Sequence, residues 1–345
     1  MRSLLSQRWP DAQLAGLEGV RGDASSRRYL RARLDGGASD CPETAIVMLM
    51  EDAGVALSSD ELSVFGDDGP RELPFVNVWR FLSTRTDALP EIYRVADDST
   101  AMVLEDVGDT PLWDAATAPG AEPEAVFGRA LDLLADLQAS AADDGSGCYA
   151  FKQSFDERLF RWEFEHFIEY GLDPEASAGA LTECRAELAR LADRLAALPR
   201  VFCHRDYHAW NLHLHRSRIR VIDFQDALLA PALYDVASLL TDRITPRLID
   251  PSLEASLITR YAQHAGVPAD RAREEYNLCA FQRVLKVVGR FNFLAEVKGK
   301  PAYAAMLPDV VPTAREFAAR IDGVPATREL LQSAVKAGQA REAAL

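Results

Sequence analysis

Three oxygen-bearing side chains in this sequence are spaced for phosphoryl transfer: Asp206 in His204-Arg205-Asp206, Asn211 five residues on, and Asp223 in Asp223-Phe224-Gln225, twelve residues after Asn211. In that reaction a protein does little covalent chemistry; it aligns an acceptor hydroxyl and neutralises phosphate charge, largely with magnesium. Asp206 is the candidate to orient the hydroxyl and take its proton, an effect worth roughly 10²–10⁴ in rate. Asn211 and Asp223 supply the hard oxygen ligands that magnesium prefers. The spacing follows H-R-D-x-x-x-x-N with a metal-binding aspartate at the end of a later strand, and Gln225 stands where protein kinases have the glycine of D-F-G. A lone D-x-x-x-x-N carries little information; the three elements together are specific. His208 occupies the position where protein kinases carry a lysine facing the transferred phosphate, while His204 and Asp235 read as structural, His204 bracing the loop and Asp235 receiving its backbone N–H groups.

Short β-branched and aromatic runs must hold these groups. Val201-Phe202-Cys203 and Arg218 to Phe224 read as buried strands, which places Asp206 on a loop between strands. Earlier, Arg27 to Leu34, Thr44 to Met50 and Thr100 to Glu105 read as strands, with Arg27 to Leu34 the first of them and a helix around Pro74 to Leu82. From about residue 122 the chain turns helical: Phe127, Leu131 and Leu134 recur at helical spacing, as do Leu181, Cys184, Leu188, Leu191 and Leu195. Asp156 to Tyr170 carries Phe160, Phe164 and Phe167 on one face. The order strands, hinge, helices, catalytic loop predicts an α+β, bilobal protein-kinase-like fold. Its small N-lobe with an antiparallel sheet spans 1–105, its larger, mainly helical C-lobe 106–323, and a helical tail 324–345. Adenine of ATP would meet backbone at the hinge, with Glu105 and Val107 as the nucleotide-side candidates.

The phosphates need cations. Gly22-Asp23-Ala24-Ser25-Ser26-Arg27-Arg28-Tyr29 has small residues that let backbone N–H groups approach a phosphate, so Ser25 and Ser26 are candidates; a plain turn accounts for the same composition. No G-x-x-x-x-G-K-[ST] is present. The first lysine of the chain is Lys152, so the strand Ala45 to Met50 lacks the lysine that kinases use on the α- and β-phosphates. Arg28 and Arg31 are the substitutes proposed; Arg27 and Arg33 are also within the stretch, and all four could equally face solvent.

Length and charge narrow the classes. At 345 residues the chain can build two cores, and 48% hydrophobic with 26% charged residues is ordinary for a soluble globular protein. A net charge of −15 argues against nucleic acid as a partner, since that binding rests on many cations, but leaves a single nucleotide open. Five scattered cysteines without C-x-x-C, no signal-like N-terminus and no long apolar run point to a cytoplasmic protein with reduced thiols and no membrane segment. Cys203, beside the motif but on a strand, reads as a buried structural thiol. The helix expected from about Glu274 to Glu296 buries Leu278, Phe281, Leu285 and Val288, while Gln282, Lys286 and Arg290 recur every four residues with Arg283 adjacent. These donors could bind the hydroxyls or carboxylate of an acceptor; a solvated polar face gives the same pattern.

His204 to Asn211, Val221-Ile222-Asp223-Phe224-Gln225-Asp226-Ala227 and Pro231 to Leu240 resemble the aminoglycoside phosphotransferase and choline kinase superfamily. More narrowly, Gly22 to Tyr29, Leu104 to Asp109 and Gln282 to Gly289 resemble the anomeric N-acetylmuramate/N-acetylglucosamine kinases of bacterial cell-wall recycling. The resemblance runs from about residue 19 to about 310. It implies ATP- and Mg2+-dependent phosphorylation of a sugar's C1 hydroxyl, with Gln225, Asp226, Gln282, Arg283 and Lys286 on the acceptor side. The family's strand commonly reads V-M-D-A-P-P where this chain has Val47-Met48-Leu49-Met50-Glu51-Asp52, which leaves open an aminoglycoside or other small-alcohol kinase. The missing lysine leaves open a nucleotide-binding pseudokinase.

Overall fold

Alternating apolar residues build a five-stranded antiparallel sheet, in the order β1-β2-β3-β5-β4, from β1 (Gln13–Val20), β2 (Arg28–Asp35), β3 (Thr44–Leu49), β4 (Ile92–Val95) and β5 (Ala101–Glu105). The computed structural model describes residues 2–20, 27–50 and 72–332. Two of these strands go beyond the sequence pattern. β1 precedes Arg28 because Leu14, Leu17 and Val20 pair well enough with β2 to offset the low strand preference of Gly16 and Gly19, and β4 is only four residues long.

The period-2 pattern sorts the sheet's two faces. Ala32, Leu34, Ala45, Val47, Ala101 and Val103 pack with Leu4, Leu5 and Trp9, the apolar side of α1 (Arg2–Arg8) and the turn after it. Arg31 and Arg33 therefore lie on the opposite face. Helix α2 (Pro74–Leu82) starts with Pro at its first turn, which needs no N–H there, and buries Phe75, Val78, Phe81 and Leu82. The Phe75 ring meets Phe224 at a centroid distance of 4.7 Å.

The chain divides into two compact units, 1–110 with 213–225, and 111–212 with 226–345. The second is mainly helical: α3 (Leu112–Thr117), α4 (Pro123–Ser140), α5 (Glu157–Gly171), α6 (Ala178–Ala196), α7 (Leu233–Thr241), α8 (Pro251–Ala265), α9 (Ala269–Glu296) and α10 (Leu307–Arg320), with a further helix over 325–332. α9 begins five residues before the expected Glu274 because Pro268 can precede a first turn led by Asp270, whose charge suits the helix N-terminus. In the expected pattern Leu278, Phe281, Leu285 and Val288 are all buried. Asp156 caps α5 by accepting from the Leu159 N–H at 2.9 Å.

Two short hairpin-like pairs carry the loop ends: β6 (Arg200–Cys203) runs antiparallel to β9 (Leu228–Pro231), and β7 (Leu212–His215) pairs with β8 (Arg218–Val221). The stretch expected as one strand from Arg218 to Phe224 stops at Val221; Asp223 has φ 64°, and a 3₁₀ turn covers Phe224–Asp226. Close packing of α5 against α9 depends on Gly289: a Cβ there would stand 2.8 Å from the Phe167 Cα. That approach brings the polar residues of the two helices within hydrogen-bonding reach. Among the described residues no helix is long and apolar enough to cross a membrane.

Candidate active site

In the helical unit the loop after β6 is held from below by one carboxylate. Asp235, fully buried in the first turn of α7, accepts the backbone N–H of His204 at 2.6 Å and of Arg205 at 3.0 Å. Those two bonds hold Arg205 at φ 77°, a left-handed conformation that costs a non-glycine residue about 1–3 kcal/mol. Burial pushes the Asp235 carboxyl up to about 6, against the opposing pull of His204, Arg283 and the two N–H groups. Tyr207 ties the loop to α4 by donating to the Ala130 carbonyl at 2.8 Å, and Trp210 stacks on Trp113 at 5.6 Å. His204 is 1% exposed, its ring edge-on to Tyr207.

Asp206 follows the strained residue and turns its side chain, 38% exposed, toward a buried cationic frame. Arg283, 2% exposed on α9, approaches Asp206 Oδ1 at 3.2 Å and 3.3 Å through its two terminal nitrogens and donates to the Arg205 carbonyl at 3.1 Å. The same guanidinium lies 3.5 Å from Asp242 Oδ1. Burial would raise the Asp206 carboxyl, but Arg283, Lys286, His208 and Arg205 outweigh it and hold the group well below the usual carboxylate range. The Asp206 carbonyl accepts from the His208 N–H and from Asn211 Nδ2, each at 2.9 Å. Asn211 thereby spends its amide nitrogen on the loop, which leaves its oxygen as the end suited to a hard cation. His208 is 8% exposed, and its Nδ1 has no hydrogen-bond partner among the described residues.

Glu163 is the residue that sequence reasoning missed. It lies 3% exposed on α5, accepts Gln282 Nε2 at 2.6 Å on one oxygen and meets Lys286 Nζ at 3.0 Å on the other, with Arg205 at 4.0 Å. Gln282 is fully buried and Lys286 21% exposed, so a solvated polar face does not describe this part of α9. A glutamate at the buried edge of an amphipathic helix reads as an ordinary surface charge until the facing helix is known. Asp226 lies in the same unit, its charge acting on Arg205.

In the sheet unit, Asp223 is 42% exposed; its Oδ1 accepts Gln225 Nε2 at 2.8 Å and lies 3.6 Å from Arg27 Nη1. Gln225, expected on the acceptor, thus has its amide nitrogen engaged with Asp223. Arg31, expected on phosphate, forks onto Asp106 at 2.6 and 3.0 Å and onto Asp109 at 2.5 and 2.7 Å, so each of its three guanidinium nitrogens donates to a carboxylate. Arg28 opens β2 with an exposed side chain. At the end of β5, Glu105 pairs with Arg220, its N–H donates to the Glu91 carbonyl at 2.8 Å, and the next residues turn at Gly108, φ 79°, with Val107 buried. Ser25 and Ser26 lie outside the described residues. Cys203 is fully buried on β6, where burial pushes its thiol up; it is a packing residue.

No group of three or more His, Cys, Asp or Glu among the described residues is placed to hold a metal by itself.

The profile of the phosphotransferase enzyme family (APH) matches residues 16–276. The chain is 30% identical to the N-acetylmuramate/N-acetylglucosamine kinase of Pseudomonas aeruginosa over 97% of this chain and 94% of that one. It is 28% identical to the protein of the same name from Neisseria meningitidis, over 83% of this chain and 80% of that one. Among solved structures, wild-type aminoglycoside 2'-phosphotransferase-IIIa in its GDP complex superposes with a TM-score of 0.61 at 12% identity, covering 91% of this chain and 97% of that one. A choline/ethanolamine kinase family protein from Mesorhizobium loti does so at 0.57 and 16% identity, covering 93% and 92%. At such identities these structures carry the fold, which is α+β and protein-kinase-like. The sequence match extends well beyond half of the chain, and the chain belongs to the phosphotransferase enzyme family as a kinase.

Proposed function

We propose that this kinase transfers the γ-phosphoryl group of ATP to the anomeric C1 hydroxyl of N-acetylmuramate or N-acetylglucosamine. The observation that carries the reading is the placement of Asp206 on the loop after β6, with both terminal nitrogens of the Arg283 guanidinium on its Oδ1, at 3.3 and 3.2 Å. A carboxylate paired with a guanidinium is a weakened base, suited to orienting a hydroxyl more than to removing its proton. An anomeric hydroxyl is more acidic than an ordinary alcohol and asks least of its base. The names of the relatives at about 30% identity support the same acceptor.

In the proposed step the C1 oxygen forms a bond to the γ-phosphorus as the bond from that phosphorus to the β,γ-bridging oxygen breaks. ADP leaves with the bridging electrons, and the hydroxyl proton passes to Asp206 late in the transfer. Arg283 and Lys286 keep Asp206 ionised and in one rotamer, while Asp235 fixes the backbone that carries it. Gln282, fully buried, has an Oε1 with no hydrogen-bond partner among the described residues, an acceptor that a sugar hydroxyl or amide N–H would satisfy. Asp226 and His208 complete the acceptor and phosphate sides. Arg27, beside Asp223, takes the part of the missing strand lysine in place of Arg31. Nucleotide contacts are assigned to Ser25, Ser26, Arg28 and the backbone at Glu105 and Val107. Magnesium, assigned to Asn211 and Asp223 by motif spacing and donor chemistry, would neutralise charge on the β- and γ-phosphates. A cytoplasmic location is part of the same reading, supported by five scattered cysteines without a C-x-x-C pair.

The test is a coupled ADP-release assay on a panel of N-acetylmuramate, N-acetylglucosamine, aminoglycosides and choline with ATP and Mg2+. The reading expects turnover with the amino sugars; turnover confined to an aminoglycoside or to choline overturns it. Asp206→Asn should lose ~10²-fold or more in kcat with the fold intact.

A further inference from the structure

The cations of α9 nearest Asp206 are committed to ion pairs. Arg283 is shared between Asp206 and Asp242, and Lys286 is committed to Glu163. One cation on the same side of α9 is left over. Arg290 is exposed, lies one turn beyond Lys286 and two turns beyond Arg283, and makes no ion pair among the described residues; its guanidinium sits 5.4 Å from the Phe293 ring centre. Seven residues return a helix to nearly the same face, at about 10.5 Å of rise. Arg290 therefore lies on the same face of α9 as Arg283, which pairs with the carboxylate that orients the acceptor, close enough that Asp206, Arg205 and Tyr303 all act on its charge. Burial works against its charge and outweighs the support of Tyr303 and Asp206, with Arg205 also opposing; a carboxylate paired with the guanidinium would offset that cost.

The two proposed acceptors differ by one group. N-acetylmuramate carries a lactyl ether on C3, ending in a carboxylate six covalent bonds from the C1 oxygen; N-acetylglucosamine has a hydroxyl there. With C1 at Asp206, a C3 substituent projecting along α9 comes within reach of a long arginine side chain placed two turns on. We infer that Arg290 reads the lactyl carboxylate and sets the preference of the enzyme between N-acetylmuramate and N-acetylglucosamine. This rests on the proposed acceptor reading. The paired residues Gln282, Arg283 and Lys286 then serve the part common to both sugars, and the unpaired Arg290 serves the part that distinguishes them. A forked guanidinium matches a carboxylate with two parallel hydrogen bonds, which a lysine does not.

The experiment is steady-state kinetics of Arg290→Gln and Arg290→Lys with both sugars. Since Arg290 holds no ion pair among the described residues, neither variant removes a structural contact of that kind. Arg290→Gln is expected to lower kcat/KM for N-acetylmuramate by ~10-fold or more, mainly through KM, as loss of a charge-assisted hydrogen bond does. Its kcat/KM for N-acetylglucosamine should change less than about threefold, and Arg290→Lys should recover part of the loss through its charge alone. In the unaltered enzyme, raising the ionic strength should raise KM for N-acetylmuramate and leave that for N-acetylglucosamine nearly constant. Equal effects on both sugars, or no effect on either, overturn the inference while the acceptor reading stands. Absence of turnover of both sugars by the unaltered enzyme overturns the acceptor reading and this inference with it.

Discussion

Replacing Arg283 with Gln tests the frame around Asp206 most sharply. The guanidinium is 2% exposed and sits between two carboxylates, 3.2 Å from Asp206 Oδ1 and 3.5 Å from Asp242 Oδ1. Removing one member of a buried ion pair costs about 3–5 kcal/mol, because the partner is left charged and desolvated. Most of that cost falls on Asp242, whose side chain is 5% exposed; Asp206, at 38%, is screened by solvent and contributes less. We therefore expect Arg283→Gln to destabilise the fold by ~3 kcal/mol in denaturant unfolding. Adding Asp242→Asn should return ~1–2 kcal/mol of it, a coupling typical of contacting charges. In catalysis, Asp206 loses its largest charge partner, and Asp235, which the same guanidinium holds down, rises further, so the acid limb of kcat moves to higher pH, with kcat down ~10²-fold. Arg283→Lys, which keeps charge but not the fork, should fall between. A folded Arg283→Gln enzyme with unchanged kcat and an unchanged acid limb would refute the reasoning.

Other perturbations separate the remaining parts. Asp235, raised to about 6 by burial, should set the acid limb of the unaltered enzyme: above that pH it accepts both loop N–H groups, and protonation below it removes one acceptor. A pH profile of kcat should show a midpoint near this value, and Asp235→Asn should be weakly active and flat over the same range. The sign for stability is opposite to that of an ordinary ion-paired aspartate. The folded chain takes up the extra proton between about 3.8 and 6, so this group's contribution to stability declines as pH rises through that window, an effect seen by comparing unfolding of the two proteins. Gly289→Ala should drive α9 away from the Phe167 backbone, cost ~1–3 kcal/mol and raise KM for the sugar by loosening Glu163 from Lys286. Asp223→Ala should abolish magnesium-dependent nucleotide binding in calorimetry, whereas Arg27→Met should weaken it by ~10-fold.

Much of this site is legible in the amino-acid sequence, for identifiable reasons. The roles proposed for the loop residues Asp206 and Asn211 come from type and spacing, and the buried Asp235 follows from an acid in the first turn of a helix. The apolar periodicity of α4, α5 and α9 is equally plain, since buried faces leave a 3.6-residue signature. Pairing between distant segments leaves no such signature. Glu163 becomes a site residue only where α5 meets α9, a contact that Gly289 permits but does not announce. Arg31 reads as a free cation because its partners Asp106 and Asp109 lie more than seventy residues away. β1 is hidden because two glycines dilute its strand pattern, and pairing with β2 supplies what local preference lacks.

The central claim is the atom that receives the phosphoryl group. Incubating the enzyme with ATP, Mg2+ and either N-acetylmuramate or N-acetylglucosamine, and reading the product by 31P NMR with through-bond correlation to the sugar protons, tests it directly. The account expects a phosphomonoester coupled to the anomeric proton, formed by the unaltered enzyme and lost in Asp206→Asn. A phosphate on any other carbon, or none on either sugar, would contradict it.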